Sequence, residues 1–184
     1  MRIYRLYNPN QEYRTIQIAN TPLLVAIDHN DYSKTIDIHN TQYHWDNLDK
    51  ELCDCPFLIG AIPVFRKEKI YKIPYIFSSQ DISTTELIVD GASYILLITN
   101  NVVKGLLDER KSTITRFSDG RIMTVENYVF KKKKEYPDIF RIEELPLFTF
   151  VTDRIANELL EQNLSGLAME ECKITYSLLS IFNR

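Results

Sequence analysis

The chain has 184 residues, 45% apolar and 26% charged, which suits one sizeable core and is short for two. Its 11 Tyr and 9 Phe against 5 Gly favour pleated strands over loops that cradle phosphates. The net charge of −3 comes entirely from residues 1–60, with eight acids against five bases, a balance that repels nucleic acid and draws cationic partners.

Ile3–Tyr7 reads as an opening strand, and Tyr13–Ala19 alternates well enough for a second. Leu23–Ile27 has the short apolar run of a buried strand. Residues 28–50 are polar and show no strand or helix period, with a short helix expected near Asn47–Leu52. Pro56–Pro63 is apolar between two prolines and leads into an expected charged helix from Val64 to about Ile73, ended by Pro74. Glu86–Val89 and Tyr94–Thr99 flank Asp90-Gly91, a hairpin signature. Thr113–Phe117 and Arg121–Phe130 flank Ser118-Asp119-Gly120 in the same way. Ile139–Ile142 and Leu147–Val151 are two more strands. Thr152 then offers an N-cap, Asp153 places a negative charge at the positive helix end, and Ile155, Ala156, Leu159 and Leu160 form one apolar stripe. Ser165-Gly166 is a loop, and Ile174–Phe182 has no clear assignment. Hairpin-linked strands with two or three helices packed on them predict an α+β fold, mainly antiparallel and hairpin-rich, in a single domain over residues 1–184.

No apolar h-region follows Arg2 and Arg5, so no signal peptide is expected, and runs such as Tyr94–Ile98 are far below a bilayer span. Cys53, Cys55 and Cys172 fit no disulfide framework, which points to a reducing compartment with the cytoplasm as the expected location.

Catalytic signatures are missing: no glycine-rich nucleotide loop, nucleophile elbow or zinc-protease helix occurs. All three histidines, His29, His39 and His44, fall near Asp46 and make the best metal candidate, although nothing places them on one face. Cys53-Asp54-Cys55 is short of the four ligands that a structural zinc needs, and these thiols read as half-buried packing. Lys131–Lys134 is a basic run without the interleaved aromatics of a nucleic-acid site, so it reads as a solvated strand end. Glu143-Glu144 and Glu170-Glu171 are sequence neighbours that would point apart on a strand, unlike an acid–base pair.

The second half carries an ordered series of blocks. Pro56-x-x-Ile59-Gly60-Ala61-Ile62-Pro63-Val64-Phe65 precedes Val89-Asp90-Gly91-x-x-Tyr94 and Asp108-Glu109-x-Lys111-Ser112. Phe117-Ser118-Asp119-Gly120-Arg121-Ile122-Met123 and Asp138-Ile139-Phe140-Arg141-Ile142 follow. Phe150-Val151-Thr152-Asp153-Arg154-Ile155 and Asn163-Leu164-Ser165-Gly166-Leu167 complete it. The series resembles the eleventh numbered family of immunity proteins from bacterial polymorphic toxin systems, from Pro56 to about Glu170. Residues 1–55 match weakly, and 171–184 form a C-terminal extension. The resemblance implies a protein that binds and neutralises a cognate toxin without catalysis and without a cofactor.

Toxins that attack nucleic acids are often basic, so the expected partner-binding residues are Asp28, Asp31, Asp46, Asp49, Glu51 and Asp54, with Trp45 as an aromatic anchor. From another class comes the alternative of a metal-assisted hydrolase or isomerase built on His29, His39, His44 and Asp46. A third is an adaptor whose partner is no toxin.

Overall fold

Strands make up most of the regular structure in the computed structural model, which describes residues 1–9, 12–18 and 42–175. The first strands are β1 (Ile3–Tyr7), β2 (Thr15–Ile18), β3 (Tyr43–Asp46), β4 (Phe57–Leu58) and β5 (Ile62–Arg66). Two short helices follow, α1 (Lys67–Ile70) and α2 (Pro74–Ser78), then β6 (Ile82–Val89), β7 (Ala92–Thr99) and β8 (Val102–Val103). Next come β9 (Thr113–Arg116), β10 (Ile122–Asn127), β11 (Val129–Lys131), β12 (Ile139–Ile142) and β13 (Leu145–Thr152). Helix α3 (Asp153–Glu161) and β14 (Ala168–Thr175) complete the described chain.

One six-stranded sheet has the order β11-β14-β1-β13-β12-β8 and a second the order β3-β2-β4-β5-β7-β6, while β9 and β10 form a two-stranded hairpin of their own. Most pairs are antiparallel, but β2·β4, β8·β12 and β11·β14 are parallel. The fold is α+β and dominated by sheet, with mixed as well as antiparallel pairing.

Both large sheets curl. In the first, the chain leaving β8 reaches the opposite edge: Lys131 N donates to Leu106 O at 2.9 Å and Asp108 N to Val129 O at 2.8 Å. This wraps a core of Ile3, Phe130, Phe140, Ile142 and Phe150. In the second, edge strands β3 and β6 approach each other around Trp45, Tyr94 and Leu96. Bringing edges together hides backbone groups that would otherwise invite pairing with other chains.

A third core lies between the sheets, where Leu6, Phe57, Phe65 and Val151 meet Ile70, Ile76, Ile155 and Leu159 from the three helices. Strand β7 therefore has no solvent face. Its Ile95 and Leu97 point to the central core, and Tyr94, Leu96 and Ile98 to the Trp45 core. Such two-sided burial explains its unbroken apolar run.

Several expectations need correction. Val64 and Phe65 continue strand β5, each facing a different core, so the helix is confined to Lys67–Ile70. Pro74 starts α2 at its first turn, where a missing N–H costs nothing, instead of ending a helix. No helix covers Asn47–Leu52, and residues 44–46, read as lacking a period, lie in strand β3. The expected strand Arg121–Phe130 breaks at Tyr128, after which β11 pairs in parallel with β14. Strand β14 itself was not anticipated. In α3 the stripe is narrower than expected: Ile155, Ala156 and Leu159 are buried, but Leu160 is 64% exposed. Thr152 holds the N-cap position, yet its hydroxyl donates to Asp138 Oδ1 at 2.6 Å and makes no cap bond. The Asp90-Gly91 and Asp119-Gly120 hairpins form as the sequence indicates. Leu23–Ile27 and residues 176–182 lie outside the described residues. No helix among the described residues is long and apolar enough to cross a membrane.

Candidate functional site

The acidic first third of the sequence converges, as far as it is described, on the edge strand β3 and the loop after it. Strand β3 pairs antiparallel with β2, Ile16 opposite Trp45 and Gln17 opposite His44. Alternation then sorts the side chains: His44 and Asp46 face out, Trp45 faces in. Trp45 is 7% exposed, with its ring edge-on to Tyr94 at 5.6 Å between centroids. Its place is therefore the core, because the strand's pleat gives it the inner side of a curled sheet. It offers no aromatic face to a partner. His44 and Asp46, by contrast, do share one face, where Gln17 Nε2 donates to Asp46 Oδ2 at 3.3 Å. His29, His39, Asp28 and Asp31 lie outside the described residues. Among the described residues, no three His, Cys, Asp or Glu side chains gather as a metal ion would require.

The loop that follows is pinned. Asn47 takes a left-handed φ of 58°, which asparagine tolerates, and its N–H donates to Asp46 Oδ1 at 2.8 Å. From the neighbouring segment, Arg14 Nε donates to Lys50 O at 2.8 Å and Nη2 to Leu48 O at 2.9 Å. Two backbone bonds add to this, Arg14 N to Glu51 O at 2.9 Å and Glu51 N to Glu12 O at 3.1 Å. Held in this shape, the loop exposes Asp46, Asp49 and Glu51 together with Leu48 and Leu52, which are 64% and 51% exposed. Sequence reading missed the two leucines by expecting a helix. The cue was available: polar, apolar, polar alternation over His44-Trp45-Asp46 followed by Asn47, a common turn residue.

Asp54 plays a different part. Its Oδ2 accepts from Ser165 Oγ at 3.0 Å and Ser165 N at 3.2 Å, its own N–H donates to Ser165 Oγ at 2.9 Å, and Arg66 lies 3.5 Å away. These bonds stitch the entry to β4 onto the turn after α3 and occupy the carboxylate. Cys53, Cys55 and Cys172 are all buried. Burial pushes the Cys53 and Cys172 thiols up to about 12 and Cys55 well above its ordinary value, so all three stay protonated and unreactive.

The remaining candidates are engaged locally. Lys131 Nζ donates to Gly105 O and Lys133 Nζ to Lys104 O, both at 3.2 Å, tying the basic run to a neighbouring loop. Glu170 pairs with Arg5 at 3.0 Å and Glu171 with Arg2 at 3.9 Å. Glu144 stands apart: burial first, then the nearby Glu143 and Glu109 charges, raise its carboxyl above the ordinary range. A raised folded value makes the ionised form a burden once pH exceeds it, a burden that fades as pH falls towards the unfolded value. Glu144→Gln is therefore expected to raise Tm near neutral pH, with the gain over wild type shrinking as pH drops through the carboxylate range. Thermal unfolding across that range checks it, and a gain independent of pH would assign the effect to something else.

No family model matches the chain, and no curated protein matches it.

Proposed function

We propose that this chain is an immunity protein that neutralises a cognate bacterial toxin by protein–protein contact, acting in the cytoplasm and making or breaking no bond. The class comes from the resemblance traced in the sequence. The contact surface is the β3–β4 loop, and one observation carries that assignment: Asp46, Asp49 and Glu51 are exposed in one short stretch with Leu48 and Leu52, on a backbone clamped by Arg14. Exposed leucines interspersed with carboxylates fit a partner that offers both apolar and basic side chains. Clamping the loop in advance lowers the ordering cost of association. Asp28 and Asp31 extend the same acidic character in the sequence, whereas Asp54 and Trp45 serve the fold.

Two kinds of variant test the reading, with a candidate cognate toxin module as the partner. Reversing charge at Asp46, Asp49 and Glu51 together is expected to slow association and remove most of its salt dependence, since rim charges act mainly through encounter. Leu48→Ser with Leu52→Ser is expected to speed dissociation and weaken binding by about 2 kcal/mol or more, the scale of a hot spot. Unchanged binding in both variants would move the interface elsewhere. A stoichiometric metal in the purified protein, lost when His39 and His44 are replaced, would instead favour the hydrolase alternative.

A further inference from the structure

Between the β9–β10 hairpin and the β12–β13 turn lies a cleft of about 630 Å3. The hairpin contributes Phe117 and Met123, which are 44% and 45% exposed, and the first half of β13 contributes Leu147 and Phe148. A cleft of this size with a mostly apolar wall and a few polar groups is the usual form of a binding site.

Its charges are almost all spent within the chain. Arg116 donates through Nη2 to Glu109 at 2.5 Å and through Nη1 to Gly120 O at 2.7 Å. Arg121 pairs with Asp119 at 2.8 Å and Glu143 with Lys104 at 3.3 Å. Glu144 lines the cleft and forms no ion pair among the described residues, while its carboxyl lies against the N–H groups of Glu144 itself and Leu107. A carboxylate without a cationic partner beside an apolar wall favours a ligand that brings a positive charge. The hairpin wall also has both strand edges open among the described residues, because β9 and β10 pair only with each other. Open edges favour an extended polypeptide over a compact small molecule.

We propose that the cleft receives an arginine or lysine side chain on an extended apolar segment of a partner protein, with Glu144 as its counter-ion. This rests on the binding-protein reading for the partner's identity, not for the chemistry of the site.

The test is an NMR titration of the full chain with the peptides N-acetyl-Leu-Arg-Leu-amide and N-acetyl-Leu-Glu-Leu-amide. The arginine peptide is expected to give saturable shifts at the Met123 methyl and the Phe148 ring, and the glutamate peptide none. Glu144→Gln is expected to weaken the arginine peptide roughly tenfold, the scale of one hydrogen bond to a charged group. Met123→Lys, at an exposed position that leaves the fold intact, should also weaken it by placing a like charge at the mouth. Equal shifts from both peptides, or Glu144→Gln binding within about twofold of wild type where a charged bond predicts roughly ten, would overturn the proposal. Loss of toxin binding in the loop variants with peptide binding intact would leave the cleft standing on its own. Toxin binding without any peptide response would remove the cleft and leave the loop.

Discussion

Gly166→Ala is expected to destabilise the protein by about 3 kcal/mol or more, enough to unfold a chain of ordinary marginal stability in mild denaturant. Two causes act together. Gly166 has φ of +81°, where a side chain costs roughly 1–2 kcal/mol. A Cβ there would also lie 2.4 Å from Cys53 Sγ, 2.8 Å from Cys53 Cβ and 3.0 Å from Cys55 O. The cysteine cannot swing aside freely, because Cys53 is buried and Cys55 N donates to Ser165 O at 2.9 Å in the same stitch. Relief would therefore pull the Asp54–Ser165 bonds apart, detaching the entry to β4 from the turn after α3. Urea denaturation reads this directly. A midpoint close to that of wild type would show that the two segments are not packed as described.

Phe150→Ala should cost about 3–5 kcal/mol, the range for removing a buried ring. The ring is fully buried, with Phe130, Tyr128 and Phe140 at centroid distances of 5.3, 5.5 and 5.7 Å. No neighbour can close the gap without leaving its own ring contact, so the cavity persists. Phe117→Ala provides the contrast, since Phe117 stands 44% exposed at a hairpin tip and its loss should fall within about 0.5 kcal/mol of wild type. Equal costs at the two sites would contradict the curled first sheet as the seat of a packed aromatic core.

What the sequence made legible was local. Asp-Gly dipeptides announced two hairpins because only a few residue types accept a left-handed φ, and Asp90 and Gly91 take 48° and 78°. The stripe of α3 showed because 3.6-residue periodicity survives in nine residues of helix. Long-range pairing did not show. Nothing in Leu106-Leu107 signals that these residues meet Phe130, since register between distant strands depends on faces that the fold creates. Val64-Phe65 looked like a helix start because a strand buried on both faces loses its alternation.

The candidate site was half legible for the same reason. Charge counting found Asp46, Asp49 and Glu51, which need no structure to be acidic. Whether an apolar residue faces in or out requires the pleat. Trp45 was expected outside and Leu48 and Leu52 were not considered, whereas the strand turns Trp45 inward and the Arg14 clamp leaves the leucines exposed. Asp54 was grouped with the loop acids by proximity in sequence, yet Ser165 and Arg66 hold it to the scaffold.

Neutralisation by contact through the β3–β4 loop predicts a difference in cell survival. Cells expressing a candidate cognate toxin module would carry wild type, the Leu48→Ser and Leu52→Ser double variant, or Leu160→Ala on the exposed side of α3, with folded protein levels matched. Protection by wild type and Leu160→Ala, and its loss in the leucine variant, is the predicted result. Full protection by the leucine variant, or none by wild type, would contradict it.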